Sequence, residues 1–202
     1  MFVKVCGIRR LEDASACVDA GADAIGFNFW PKSKRYLTVE AATEIAIRLP
    51  PTLRRFGVFV DPTAEEVEHA FAAGAIDIAQ FHGDEPRVFC NRFRGCHVKA
   101  LRLRDQASLA QLDLYDCELL LVDADSAGYG GSGQRADWSL ARAAAEKRKV
   151  LLAGGLTPAN VAEAIRAVQP YGVDVAGGVE LMPGVKDLRK IAAFVAAAKQ
   201  VE

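Results

Sequence analysis

What the chain lacks narrows it first. No apolar run approaches the roughly 18 residues of a membrane-spanning helix, and the opening Met1-Phe2-Val3-Lys4-Val5-Cys6 has neither the long apolar stretch nor the small-residue cleavage site of a secretory leader. A cytoplasmic protein without membrane contact is expected. There is no C-x-x-C pair and no histidine at zinc-ligand spacing from a cysteine, so no metal site is expected. The five cysteines, at positions 6, 17, 90, 96 and 117, are odd in number and fit reduced thiols in a reducing compartment. Net charge is -1, and no block of like charge is longer than Lys32 to Arg35, which leaves no broad basic footprint for nucleic acid. No G-x-G-x-x-G follows the first apolar run. Cys6-Gly7-Ile8-Arg9-Arg10 stands there instead, which argues against the dinucleotide-binding turn of an open doubly wound sheet.

What is present is a repeat. Hydrophobic residues make up 51% of the 202, enough for a sizeable core, and residues 1–202 read as one domain. Short runs rich in Val, Ile, Leu and Phe recur eight times: Phe2 to Cys6, Ala24 to Phe27, Phe56 to Val60, Ile76 to Phe81, His97 to Ala100, Leu119 to Asp123, Val150 to Ala153 and Gly172 to Ala176. Between them lie segments of helical period, such as Ala41-Ile45-Leu49, Val67-Ala70-Phe71, Val161-Ala164-Ile165-Val168 and Leu188-Ile191-Ala192-Val195. Asp61-Pro62-Thr63 and Thr157-Pro158 mark helix starts, and Gly21 and Gly74 mark helix ends. Strands separated by helices pair in parallel, and continuous apolar runs require cover on both faces. Eight such units of roughly 25 residues predict a compact α/β fold, a single (β/α)8 TIM barrel, smaller than the ~250 residues typical of that fold.

In a parallel barrel the C-terminal ends of all strands open on one mouth, so position in the repeat becomes position in space. That mouth is predicted to receive Cys6, Arg35, Gln80, His82, Asp123 and Asp174, with glycines from the last two units. Cys6 ends the first strand, where a nearby cation would favour the reactive thiolate, although most free cysteines are small core residues. An acid such as Asp123, closing the run Leu119 to Val122, is expensive to bury unless paired or functional. The pairs Gly154-Gly155 and Gly177-Gly178 follow strands seven and eight, where barrels frequently hold phosphate on backbone N–H groups. Each pair alone would be read as a tight turn; two at these positions point to phosphate. The basic run reads either as a solvated surface or as a mouth loop whose Arg35 clamps a carboxylate through its planar fork. Gln80 and His82 read equally as satisfied interior polar residues.

Taken in order, these motifs resemble the phosphoribosylanthranilate isomerase family over essentially the whole chain. The similar segments are Val3-Lys4-Val5-Cys6-Gly7-Ile8, Gly21 to Phe27, Pro31-Lys32-Ser33-Lys34-Arg35-Tyr36, Gly57-Val58-Phe59-Val60 and Gln80-Phe81-His82-Gly83. They continue with Tyr129-Gly130-Gly131-Ser132-Gly133, Asp137-Trp138, Leu152 to Val161, Gly178-Val179-Glu180, Pro183-Gly184 and Lys186-Asp187. The resemblance implies a cofactor-independent Amadori rearrangement of N-(5-phosphoribosyl)anthranilate in tryptophan biosynthesis. It implies Cys6 as general base, Asp123 as general acid, and Arg35 as the holder of the anthranilate carboxylate. Asp123 is preferred to Asp125 because it stands six residues before Tyr129, the family's spacing from acid to Gly-Gly-x-Gly loop. Gln80, Asp174 and the four glycines are expected to face the phosphorylated substrate.

One segment departs from the family. Where its members commonly read Asp-Val-Ser-Ser-Gly-Val-Glu, this chain has Asp174-Val175-Ala176-Gly177-Gly178-Val179-Glu180. Two hydroxyls are lost, which predicts a retained backbone cradle with weaker substrate binding. The alternatives are a related phosphate-binding barrel, such as indole-3-glycerol-phosphate synthase or a ribulose-phosphate epimerase, and a non-catalytic phosphosugar-binding barrel. The synthase needs an acidic lysine at the mouth and the epimerase a metal held by His and Asp. A small-molecule phosphorylated partner is expected, with no nucleic acid and no membrane, in a monomer or homodimer.

Overall fold

The computed structural model describes residues 1–123 and 138–201. Asp125, Tyr129 to Gly133 and Asp137, all named from sequence, lie outside those residues. Eight parallel strands close into a barrel in sequence order: β1 (Phe2–Cys6), β2 (Ala24–Asn28), β3 (Arg54–Phe59), β4 (Ile78–Phe81), β5 (His97–Arg102), β6 (Leu119–Asp123), β7 (Lys149–Ala153) and β8 (Gly172–Val175). Helices α1 (Leu11–Asp19), α2 (Val39–Ala46), α3 (Ala64–Ala72), α4 (Arg87–Cys90), α5 (Trp138–Lys147), α6 (Val161–Val168) and α7 (Leu188–Lys199) accompany them. A small hairpin, β9 (Glu180–Met182) with β10 (Val185–Lys186), stands between β8 and α7. Among the described residues no helix is long and apolar enough to cross a membrane.

The eight expected runs all form strands, with shifted ends. Strand β3 stops at Phe59 and the chain turns at Asp61, whose φ is +48°. Strand β4 begins two residues later than its apolar run, because Asp77 is engaged by the Arg55 backbone N–H and guanidinium. The helix signals hold: Thr63 and Glu66 form a reciprocal capping box at α3, and Gly21 and Gly74 take positive φ after α1 and α3.

Strand alternation sorts the core into two layers. Val3, Val5, Ile25, Phe27, Phe81, Leu120, Val122, Val150, Leu152, Val173 and Val175 pack outward against the helices. Residues of the opposite parity, Ala24, Phe56, Val98, Leu121, Leu151 and Ala153, fill the barrel interior. Cys6, Asp123 and Asp174 share the inward parity. Alternation therefore turns each of these polar groups toward the barrel axis at or near the C-terminal end of its strand.

The outer layer is uneven. Between β4 and β5 there is a single turn, α4, continued by a 3-10 turn over Asn91–Phe93, and between β5 and β6 only a 3-10 segment over Gln106–Asp113, started by an Asp105–Ser108 capping box. A polar hub stands under this thin wall. Lys99, outward on β5 and buried, donates to Glu85 Oε2 (2.8 Å) and to the carbonyls of Gly83 (2.6 Å) and Phe81 (3.4 Å), beneath the Tyr115 ring. Glu85 Oε1 accepts the backbone N–H groups of Asp61 and Gly83, so one ion pair ties together the turns after β3 and β4. Lys99→Met would leave the buried Glu85 carboxylate without its cation and is expected to cost about 3–5 kcal/mol of stability, read as a lower urea midpoint at unchanged slope. A change below 1 kcal/mol would show that the hub is solvated.

Candidate active site

Cys6 ends β1 opposite Gly26 in the β1–β2 register. Its side chain is nearly buried. Phe2, Lys4 and Cys6 are the residues of inward parity on β1, and Cys6 stands one step above Lys4 toward the mouth. Lys4 is fully buried, donates from Nζ to Asp174 Oδ1 at 3.0 Å, and lies 5.2 Å from the centroid of Phe56. Burial pulls the Lys4 ammonium down, but Asp174 and Cys6 outweigh it and hold Lys4 above the ordinary lysine value. Asp174, expected to face substrate, is thus also the counter-ion of a lysine that sequence reading left inside an apolar run.

Arg35 reaches the mouth from the loop after β2. Its fork is already engaged: Nε donates to Glu180 Oε1 (2.7 Å) and Nη2 to Glu180 Oε2 (2.8 Å). The expected bidentate clamp on a ligand carboxylate is therefore occupied by Glu180, and donors on Nη1 and Nη2 remain. Glu180 is in turn held by buried Lys186, whose Nζ donates to Glu180 Oε1 (3.1 Å) and to the Ala176 carbonyl (2.9 Å). Burial pushes Glu180 up, yet Arg35 and Lys186 together hold it below the usual carboxylate range. Burial draws Lys186 below its ordinary value against Glu180 and Cys6. Neither Glu180 nor Lys186 stood out as a site residue in the sequence. The available signal was an acid six residues before a lysine in the segment that links β8 to α7.

Gln80, inward on β4, donates from Nε2 to His82 Nε2, which puts the His82 proton on Nδ1. Burial, aided by Lys4, Lys99 and Arg102, pushes His82 down to about 3, so the ring is neutral. Gln80 Oε1 is buried and has no hydrogen-bond partner among the described residues. Asp123 ends β6 with Arg102 and Ala153 as its register partners on β5 and β7. Burial pushes Cys17 up to about 12 and Cys90 to about 11, and raises Cys96 and Cys117.

The loops that carry the two glycine pairs meet. Gly154 and Gly155 both take positive φ (+91° and +62°) after β7, a path that side chains resist. Asn160 braces that loop, accepting the Thr157 N–H and donating to the Gly155 carbonyl. After β8, Gly177–Val179 form a 3-10 turn in which a Cβ on Gly178 would fall 1.8 Å from the Leu156 carbonyl oxygen. The loops after β7 and β8 thus touch backbone to backbone. Among the described residues no group of three or more His, Cys, Asp or Glu side chains gathers in a metal-binding arrangement.

A closed parallel barrel with a thiol, carboxylates, a guanidinium and touching glycine loops at one mouth defines an enzyme of the (β/α)8-barrel class. Comparison with known proteins narrows the class. Residues 3–197 match the family model described as N-(5'phosphoribosyl)anthranilate (PRA) isomerase. The N-(5'-phosphoribosyl)anthranilate isomerase of Geobacter sp. (strain M21) is 47% identical over 200 residues, covering 98% of each chain. Among solved structures, the phosphoribosyl anthranilate isomerase of Thermotoga maritima superposes with a TM-score of 0.93 at 40% identity, covering 98% of both chains. A second, solved in complex with reduced 1-(o-carboxyphenylamino)-1-deoxyribulose 5-phosphate, gives 0.88 at 37% over 98% of both. The chain belongs to the N-(5'-phosphoribosyl)anthranilate isomerase family.

The close approach of the loop after β8 to the loop after β7 can be tested directly. A Cβ on Gly177 would meet Arg35 Nη2 at 3.4 Å, an ordinary contact, whereas one on Gly178 collides with a backbone carbonyl. Gly177→Ser is expected to leave the melting temperature nearly unchanged, while Gly178→Ala costs about 1–3 kcal/mol. Equal melting temperatures for both variants would contradict the close approach of the two loops.

Proposed function

We propose that the chain catalyses the Amadori rearrangement of N-(5-phosphoribosyl)anthranilate to 1-(2-carboxyphenylamino)-1-deoxyribulose 5-phosphate in tryptophan biosynthesis, using residues 1–202 as one cytoplasmic barrel domain. The observation that carries this reading is the inward parity of Cys6 and Asp123 at the mouth ends of β1 and β6, in a chain of the isomerase family.

Asp123 acts as general acid and protonates the ribose ring oxygen. The C1–O bond breaks and the anilino nitrogen supplies the electrons for C1=N. The iminium makes the C2–H acidic, and the Cys6 thiolate removes that proton to leave a hydroxy-enamine. Ketonisation forms C2=O and returns a proton to C1. The hydrogen lost at C2 is regained at C1, so no external oxidant or reductant enters and no cofactor is proposed.

Arg35, steadied by Glu180, offers its remaining donors to the anthranilate carboxylate. Because Glu180 already shares that cation, the carboxylate is held by part of the fork and not by both edges. The Gln80 Oε1 atom, buried and unpartnered among the described residues, suits a sugar hydroxyl, and Asp174 lines the same interior beside Lys4. Backbone N–H groups of Gly154, Gly155, Gly177 and Gly178 cradle the phosphate. Support for such a ligand comes from the solved relative that holds the reduced product analogue. Another solved relative is described as monomers generated from a dimeric enzyme of T. maritima; for this chain we propose a monomer or homodimer.

The test is the decay of substrate fluorescence with purified protein and a chelator present. Chelator-insensitive turnover is expected, with Cys6→Ala and Asp123→Asn each lowering kcat by about 10²–10⁴-fold and Arg35→Met acting chiefly on KM. Absence of turnover by the unaltered chain at saturating substrate would overturn the reading. Parental rates in both acid–base variants would overturn the residue roles.

A further inference from the structure

Five charged groups, from five elements, form two ion-paired sets, and the three cations among them interact with Cys6. Lys4 comes from β1, Asp174 from β8, Arg35 from the loop after β2, Glu180 from β9 and Lys186 from β10. Lys4, Arg35 and Lys186 each interact electrostatically with Cys6. Asp174 neutralises Lys4, and Glu180 lies between Arg35 and Lys186. His82, the titratable group at the end of β4, is neutral. Three cations against two carboxylates leave one positive charge over. That surplus lies with Arg35 and Lys186, which share Glu180, so Lys4 acts on the sulfur through proximity and not through the net charge of the cluster.

Of the three cations Lys4 is the one placed to matter most. A Cβ on Gly26 would lie 2.8 Å from Cys6 Sγ and 3.1 Å from Lys4 Nζ, so the sulfur and the ammonium share the hollow that this glycine leaves in β2. Arg35 and Lys186 already converge on one carboxylate. Lys4 is fixed in place by Asp174 Oδ1 at 3.0 Å and lies over the Phe56 ring. We propose that Lys4 is a positioning residue for the Cys6 base, its ammonium fixed beside the sulfur so that Cys6 stands as a thiolate before substrate arrives. Asp174 then serves the chemistry by holding Lys4, in addition to any contact with substrate. The inference rests on Cys6 being the base.

The experiment follows carbamidomethylation of Cys6 in the full-length native protein by iodoacetamide, read by peptide mass spectrometry, with Cys96 as internal control. In Lys4→Met the Cys6 rate at pH 7 falls about tenfold or more and converges to within about threefold of the parent at pH 9.5, since reaction goes through the thiolate. Turnover follows the same pattern, with kcat lowered and KM little changed. Because Lys4→Met strands Asp174, the double variant K4M/D174N supplies a charge-matched interior and alkylates as slowly as the single variant. Asp174→Asn alone keeps the cation and alkylates at pH 7 at least as fast as the parent. Parental alkylation at pH 7 in K4M/D174N overturns the proposal, and so does faster alkylation at every pH, which would show that the pair only seals the mouth. Undiminished turnover by Cys6→Ala would instead overturn the reading of Cys6 as base, whatever the alkylation rates.

Discussion

Inside a closed parallel barrel, every second residue of each strand must either pack against seven other strands' side chains or find a charge to neutralise it. Most positions here take the first course, with Ala24, Phe56, Val98, Leu121 and Leu151 filling the interior. Lys4 and Asp174 take the second, as direct register partners on the neighbouring strands β1 and β8. That pair lies one step below Cys6 in the strand register. An ion pair sealed from water adds little stability compared with apolar residues of the same volume, so its place in the interior is better understood through the sulfur it faces than through the fold it occupies.

The same logic recurs at the rim. Arg35 comes from a loop, and a loop arginine is free to sample many positions. Glu180 removes that freedom through two hydrogen bonds, and Lys186 removes the freedom of Glu180. Lys186 also holds the Ala176 carbonyl, which couples the position of the guanidinium to the loop after β8. The short hairpin β9–β10 thus carries both residues that brace Arg35. This offers a physical route by which Gly177, lacking the family's hydroxyl, still belongs to an ordered loop.

Much of the architecture was legible because strand runs and helix periods are local signals. Eight apolar runs, capping at Thr63 and glycines at positions 21 and 74 each report on a few neighbouring residues. The wall around β5 was less so. Its 3-10 segment over Gln106–Asp113 has no helical stripe to announce it, and the Lys99–Glu85 hub under that wall joins residues 14 apart. The mouth residues at strand ends could be placed from the repeat alone, since parity and strand end suffice for Cys6, Gln80, Asp123 and Asp174. The pairing of Lys4 with Asp174 spans 170 positions and that of Arg35 with Glu180 spans 145. Such contacts exist only after the barrel closes, and for that reason no local signal announces the partner of Lys4 or the carboxylate that already engages the fork of Arg35.

We propose that substrate chemistry takes place between the ends of β1 and β6, with the ligand's carboxylate toward Arg35 and its phosphate toward the loops after β7 and β8. A crystal structure of this chain with the reduced product analogue tests it most directly. The predicted result has the analogue's C2 within about 3–4 Å of the Cys6 sulfur, its carboxylate on the Arg35 donors that Glu180 leaves available, and its phosphate on the N–H groups of Gly155 and Gly177-Gly178. A ligand bound with its phosphate at Cys6, or seated away from this mouth, would contradict it.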